Sequence, residues 1–324
     1  MMLRQTYLAA SVLAALTVTA GAADMPVKAP RVVDPVPQLS GYVELYGGAG
    51  RTKFENTFCD PGCFSDAFRV NDWSLGGAGR ATYWWARSYS IQLDAQGEGT
   101  SHKFTGGNAF NRSSSHSYLI GAHANWRDPS LGLIGVFGGA GDATSLFTNS
   151  SIRHGLVGLE AQAYWGPLTL YGQGGYSATL GQVSSGFLDS FQAWFARGTA
   201  RVYATPNFRL EGTVFYAKGD IDFVPAVVGF STDIETWLWR GKAEYKFATA
   251  PFSVFAYYEG SQTTSDRITP GATATTKVTD QRIMGGIRLY INENTLQWND
   301  RNGTTLDIIA PFSVPSTTLG LLAG

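Results

Sequence analysis

Apolar and charged residues alternate singly near residue 240, and no other feature of the sequence constrains the fold as strongly. One parity carries Trp237, Trp239, Gly241, Ala243, Tyr245 and Phe247, and the other carries Leu238, Arg240, Lys242, Glu244 and Lys246. Because neighbouring side chains of a β-strand point to opposite faces, this segment predicts a strand with one apolar face and one charged face. The same alternation recurs from Leu39 to Ile291, which predicts an all-β fold.

Twelve segments follow this pattern. They predict strands near residues 41–50, 73–84, 89–99, 117–126, 131–140, 155–165, 168–177, 192–203, 208–217, 235–247, 252–260 and 281–291. Alternation alone also suits a soluble β-sandwich, whose apolar face would be its core. The connections between the strands distinguish the two folds.

Short and long connections alternate along the chain. Short turns are expected at residues 86–88, 127–130, 166–167, 204–207 and 248–251, and long polar loops at residues 51–72, 100–116, 141–154, 178–191, 218–234 and 261–280. Short turns on one rim and long loops on the other are typical of outer-membrane barrels, with the short rim in the periplasm. Hydrocarbon offers no hydrogen-bond partner, so a spanning sheet must close on itself. We therefore predict a transmembrane antiparallel β-barrel of about twelve strands in the outer membrane.

Aromatic residues cluster at the predicted strand ends. A periplasmic girdle is expected from Trp84, Trp85, Tyr89, Trp126, Trp165, Tyr203, Phe208, Tyr245, Phe247 and Phe252, and an outer girdle from Trp73, Tyr118, Tyr176, Tyr216, Trp237 and Tyr258. Amphipathic rings settle at the two membrane interfaces. Ordinary core packing is the alternative interpretation, and the clustering on one parity favours the girdles.

The two ends of the chain differ from the barrel region. Arg4, the apolar run 7–18 and the small residues Ala20 and Ala22 predict a cleaved signal peptide over residues 1–22. Residues 23–38 predict a Pro-rich periplasmic leader, residues 39–292 the barrel, and residues 293–324 a C-terminal tail. Export of this kind implies the barrel-assembly machinery, outer-membrane lipid and lipopolysaccharide as partners.

The tail contains a strong turn signal, Asn302-Gly303, between two short apolar stretches. It predicts a hairpin in the periplasm, a plug in the lumen, or a strand count that differs from twelve. The residues alone leave these three alternatives open.

The inward parity carries most of the charged residues. The predicted lumen-lining cations are Arg197, Arg201, Arg209, Arg240, Lys242, Lys246, Arg282 and Arg288, and the predicted lumen-lining anions are Glu44, Asp94, Glu98, Glu160, Glu211, Glu244 and Glu259. Glu44, Asp94, Glu98 and Glu160 would lie opposite or beside the basic wall, while Glu211, Glu244 and Glu259 would intersperse with it. This arrangement predicts a narrow pore with a transverse field, for passive diffusion of small polar solutes with some preference for anions. The alternatives are a closed, salt-bridged interior that does not conduct and a structural barrel whose loops contact the environment.

Cys59 and Cys63 flank a turn-forming segment, which favours a small loop disulfide in an exported protein over two free thiols. Two cysteines without nearby histidines supply only half of a metal site, so no metal is expected. The sequence contains no phosphate-binding loop after a strand, and no cofactor is expected. A formal net charge of −1 gives no electrostatic case for nucleic acid.

An outer-membrane lipid hydrolase is the remote alternative, and it would need a Ser/His pair. His116 lies between Ser115 and Ser117, but neighbouring residues of a strand point to opposite faces. We therefore expect no catalysis. His102 is predicted to lie in an exposed loop, and His123 and His154 in the lumen.

Two short stretches resemble a known group of proteins. Residues 23–30, ADMPVKAP, and residues 284–291, MGGIRLYI, resemble the mature start and the last strand of alphaproteobacterial, rhizobial-type outer-membrane and porin-like proteins. The resemblance implies a porin-like barrel in the outer membrane of a Gram-negative cell.

Overall fold

The structure is a computed structural model. It describes residues 38–60, 62–105, 112–144, 151–181, 188–223, 231–269, 272–291 and 295–308. The predicted signal peptide and residues 23–37 of the predicted leader lie outside the described residues.

Twelve antiparallel strands form one closed barrel. They are β1 (Leu39–Asp60), β2 (Gly62–Ala86), β3 (Tyr89–Thr105), β4 (Arg112–Asp128), β5 (Gly132–Thr144), β6 (Ser151–Trp165), β7 (Leu168–Thr179), β8 (Leu188–Thr205), β9 (Phe208–Phe223), β10 (Ser231–Lys246), β11 (Phe252–Thr269) and β12 (Ala272–Ile291). Each strand pairs with its neighbours in sequence, and β12 pairs with β1 to close the sheet. The predicted fold class and strand number are confirmed.

The two faces of the wall have opposite character. Apolar side chains such as Leu45, Val214 and Ile283 are exposed on the outside, while Arg209 and Glu244 are buried inside. A water-soluble protein buries its apolar face, whereas a barrel in lipid turns that face outward. The soluble sandwich is excluded, because a single closed sheet has no second sheet against which to bury its outer face.

The strands continue well beyond their predicted outer ends. β1 has 22 residues and β2 has 25, and they pair with each other from Leu39 and Tyr83 to Asp60 and Gly62. The prediction of a long loop at residues 51–72 was therefore wrong. Outside the lipid the outward face no longer has to be apolar, so Lys53 lies on the outward face of β1, while Phe54 is buried on the inward face in a cluster with Val70 and Val278.

Two of the predicted girdle residues face inward instead. Trp84 and Tyr203 are 5% and 3% exposed, and the Trp84 indole Nε1 donates a hydrogen bond to the Asn302 carbonyl oxygen at 3.1 Å. Trp84 and Trp85 are adjacent in one strand, so both cannot face outward. Tyr203 shares the inward parity of Arg201.

The tail folds back into the barrel and forms a short helix, α1 (Leu296–Asn302). Thr295 caps it by accepting a hydrogen bond from the Trp298 backbone N–H. The hairpin expected at Asn302-Gly303 does not form, because α1 ends there and residues 303–308 run on without pairing as a strand. Leu306 and Ile308 are buried inside the barrel, so the described part of the tail lies in the lumen. No helix of the described segments is both long and apolar enough to cross a membrane.

Candidate functional site: the charged lumen and its tail

The structure places every predicted lumen-lining residue on the inner face of the wall. The cations are Arg197, Arg201, Arg209, Arg240, Lys242, Lys246, Arg282 and Arg288, and the anions are Glu44, Asp94, Glu98, Glu160, Glu211, Glu244 and Glu259. The single alternation of each strand fixes this placement, since a shift of one residue would turn every charge toward the outside. The inner face is therefore as charged as the sequence predicts.

Glu244 lies at the centre of one ion-pair network. Its carboxylate accepts hydrogen bonds from Arg209 at 2.6 Å and from Arg288 at 3.0 Å. Arg288 also donates to Glu44 at 2.6 Å, across the seam between β12 and β1. The Glu244 carboxylate also accepts hydrogen bonds from Ser253 and Tyr290, so this buried charge is fully compensated.

Glu259 organises a second network nearer the outer end. It accepts hydrogen bonds from Arg240 at 2.6 Å and from Arg282 at 2.7 Å. Arg282 donates a further bond to Glu98 at 2.7 Å. This network is built entirely from strands of the wall and does not involve the tail.

The basic wall is paired with carboxylates more closely than the sequence interpretation assumed. Glu211, Glu244 and Glu259 lie among the cations as predicted and bind them directly, and Glu44 and Glu98 also bind arginines of β12. Removing a charge from water costs several kcal/mol, so close pairing is the arrangement that a crowded lumen favours. Local pairs of this kind cancel the transverse field that the sequence interpretation predicted.

The tail supplies two further carboxylates to the cations. Arg197 donates to Asp307 at 2.6 Å, and Arg201 donates to Asp300 at 2.7 Å. Burial alone would raise the pKa of the Asp307 carboxyl, but the guanidinium groups of Arg197 and Arg80 outweigh it and hold that pKa below its usual range. Both carboxylates are therefore charged at neutral pH, and the tail is bound as an anion.

An apolar patch holds the end of the described tail. Ile308 belongs to a buried cluster with Leu119, Phe137, Leu156, Phe195, Phe215, Ala217 and Leu238. A Cβ atom on Gly121 would overlap the Ile308 side chain, so the glycine lets the tail approach the wall. The signal for this patch was present in the sequence, because Phe215 and Leu238 lie on the charged parity where water would disfavour them.

Little free space remains beside the tail. A cavity of about 110 Å³ lies between the tail and the charged wall, with Glu44, Arg80, Lys242, Arg288 and Asp307 in its lining. That volume accommodates several water molecules. The lumen in this structure is narrow, charged and largely occupied.

The histidines differ from their predicted positions in one case. His116 is exposed on the outer face, and His123 and His154 are buried in the lumen. His102 was predicted in an exposed loop, but β3 extends to Thr105 and turns its side chain inward, where it contacts Asp72 and Ser115. Over the ranges that the structure describes, no group of three or more His, Cys, Asp or Glu residues could hold a metal.

Cys59 and Cys63 form a disulfide at the tip of the β1–β2 hairpin, with Cα atoms 4.0 Å apart. The two residues are directly opposite in the register of that hairpin. The disulfide therefore closes the outer end of the longest pair of strands, far from the charged networks.

The fold is similar to that of solved bacterial outer-membrane proteins. No protein-family model matches the chain, and no curated protein matches it either. A COG4313 outer-membrane channel from Pseudomonas putida F1 is similar at 11% identity and a TM-score of 0.54, with 80% of this chain and 100% of the channel covered. A Pseudomonas aeruginosa FadL homologue has 9% identity and a TM-score of 0.40 over 78% and 90% of the two chains. The protein thus has a closed-barrel fold similar to that of solved outer-membrane proteins.

Proposed function

We propose that the protein is a channel for small polar solutes and that its C-terminal tail closes the channel. The observation that carries this proposal is that the tail is bound in the lumen by charges as well as by packing. Arg197 and Arg201 hold Asp307 and Asp300 at 2.6 and 2.7 Å. A tail that is bound by ion pairs can dissociate from the lumen as a unit, whereas side chains of the barrel wall that fill a lumen cannot.

Release of the tail gives the lumen a preference for anions. Two carboxylates depart with the tail, Arg197 loses its Asp307 partner, and Arg201 keeps only Glu211. Cationic side chains that ring a lumen select anions. The anion preference thus belongs to the open state.

A sealed structural barrel is the second candidate, and one observation favours it. The Glu259 network joins the wall residues Arg240, Arg282 and Glu98 without any help from the tail. Such a network would persist after the tail had left and would narrow the lumen on that side. The extended β1–β2 hairpin would then be the working surface of the protein.

Conductance in planar lipid bilayers separates the two candidates. The full chain with Asp300→Asn and Asp307→Asn should open more often than the native chain and should favour chloride over potassium. Asp128→Asn is the matched control, because Asp128 is an exposed turn residue whose carboxylate accepts bonds from Ser130. If neither the native chain nor the tail variant conducts, the barrel is sealed and the channel proposal fails.

A further inference from the structure

Three side chains on neighbouring strands are linked in series by hydrogen bonds inside the outer part of the barrel. The Asp72 carboxylate lies 2.6 Å from Nδ1 of His102, and Nε2 of His102 lies 2.8 Å from Oγ of Ser115. The three residues belong to β2, β3 and β4 in that order. The tail and the charged networks of the lumen do not contribute to this cluster.

The strand register places these groups together. Asp72 and His102 are directly opposite each other in the β2–β3 pair. In the β3–β4 pair Thr100 is opposite Ser115 and His102 is opposite Ser113, so Ser115 is the diagonal neighbour of His102. Opposite and diagonal positions on one face of a sheet are within side-chain reach. The arrangement therefore follows from a regular ladder and needs no special loop.

A hydrogen bond also holds the Asp72 carboxylate in place. The Thr52 hydroxyl lies 2.6 Å from the second carboxylate oxygen of Asp72, which leaves the first oxygen directed at His102. His102 and Ser115 are 1% and 3% exposed. A histidine with its acid on Nδ1 and a serine hydroxyl on Nε2 has the geometry that makes a serine nucleophilic.

We propose that Ser115, His102 and Asp72 form a serine hydrolase site for small, uncharged carboxylic esters. Ser115 Oγ attacks the ester carbonyl carbon while its proton passes to His102 Nε2, and that proton then leaves with the departing alcohol. Water, activated in turn by His102, hydrolyses the acyl-serine and releases the carboxylic acid. Asp72 keeps the imidazole in the tautomer with a free Nε2 and stabilises its protonated form.

The surroundings select the substrate class. Thr100 and Ser74 lie on the same inner face, with their hydroxyl oxygens 2.8 Å apart, and the Thr100 hydroxyl donates to the Glu98 carboxylate at 3.4 Å, an anion that disfavours a negatively charged substrate. Asp72 directly precedes Trp73, whose indole is exposed on the outer face, so the site lies beside the outer girdle. In outer-membrane barrels the rim opposite the short turns faces the cell exterior, and the proposal requires a substrate to reach the buried Ser115 from that side.

A fluorophosphonate probe tests the site on the full chain in detergent. We expect one covalent adduct, found on Ser115 by peptide mass spectrometry, and hydrolysis of p-nitrophenyl acetate that the adduct abolishes. Ser115→Ala should remove the adduct. His102→Gln should slow labelling by roughly a hundredfold, which is the usual contribution of a general base.

Matched controls exist one position away on the opposite face. Ser114 and His116 are both exposed on the outside of β4, so Ser114→Ala and His116→Gln should label at the native rate. Migration of unheated samples on gels verifies that each variant has folded. Ser115→Cys should react with a small thiol reagent in the folded protein, because a substrate must reach this position.

Three results would overturn the proposal. The first is a folded native protein that gains no adduct on Ser115. The second is labelling that is unchanged in the folded His102→Gln variant, because the serine would then not depend on its base. The third is a folded Ser115→Cys variant that does not react with the thiol reagent.

Discussion

The two sides of the lumen differ in how their buried inner-face side chains are paired or packed. On the side of β9 to β12 the inner face is charged, and each carboxylate such as Glu244 or Glu259 binds two guanidinium groups. On the side of β4 to β8 the inner face carries apolar residues such as Leu119 and Phe137, which form one buried cluster with Ile308 and with Phe215 and Leu238 of β9 and β10. Arg197 and Arg201 of β8 also bind the tail carboxylates. The comparison teaches that the Glu244 and Glu259 networks form within the wall, whereas the β4 to β8 side is completed by the tail.

The largest effect is expected on the charged side. Glu244→Gln leaves the buried guanidiniums of Arg209 and Arg288 without their shared anion, and we expect the free energy of unfolding to fall by about 3–5 kcal/mol. Urea unfolding of the barrel in lipid measures it. Glu55→Gln is the control, because Glu55 pairs with Lys53 at a part-exposed site and should change stability by less than about 1 kcal/mol. Equal effects of the two variants would contradict the importance of the network.

A smaller effect is expected on the apolar side. Gly121→Val places side-chain atoms where Ile308 lies, and overpacking of this kind costs about 1–3 kcal/mol. The tail should become sensitive to protease while the barrel stays folded. Gly99→Val is the matched control, because a Cβ there meets nothing within 4 Å. A tail that is equally resistant in both variants would show that Ile308 does not anchor it.

The pH dependence of tail binding sharpens the comparison further. Burial alone would raise the pKa values of Asp300 and Asp307. The neighbouring arginines and hydrogen bonds outweigh burial, so both pKa values lie below the usual range. A carboxylate whose pKa is lower in the bound tail than in the released tail stabilises binding fully when the pH is above the pKa of the released form, about 3.9. That stabilisation is lost as the pH falls below this value. Protease resistance of the tail should therefore be constant from pH 8 to pH 5 and decline below about pH 4. Release of the tail near pH 6 would show that a group other than Asp300 and Asp307 controls its binding.

The smallest effect is expected from the disulfide. Reduction of Cys59–Cys63 opens a link between residues that are already opposite in the hairpin register. Neither tail resistance nor the unfolding midpoint of the barrel should change measurably. A shift in either would connect the outer tip to one of the two sides of the lumen.

The sequence predicted the parts of this structure that depend on local alternation. Strand number, inward parity and the positions of Arg201, Glu244 and Arg288 all follow from the period of two. The outer halves of β1 and β2 escaped prediction, because outside the lipid the outward face carries polar residues such as Lys53 and the inward face apolar ones such as Phe54, which reverses the contrast that marks the strands within the lipid. His102 was assigned to a loop for the same reason.

The docking of the tail could not be predicted in the same way. Asn302-Gly303 is a turn signal in isolation, but the Arg127 guanidinium donates to the Gly303 carbonyl oxygen at 2.6 Å. Contacts of this kind join residues that are distant in sequence, so no local pattern records them. The apolar residues on the charged parity, such as Phe215 and Leu238, were a local sign that something apolar enters the lumen.

The position of α1 in the chain sets an order of events during biogenesis. Because α1 follows the last strand, the segment that enters the lumen is synthesised after every strand of the wall. Neither the seam between β1 and β12 nor the docking of the tail can form before this last stage of synthesis. A barrel caught before that stage would have an open side and an empty interior at once.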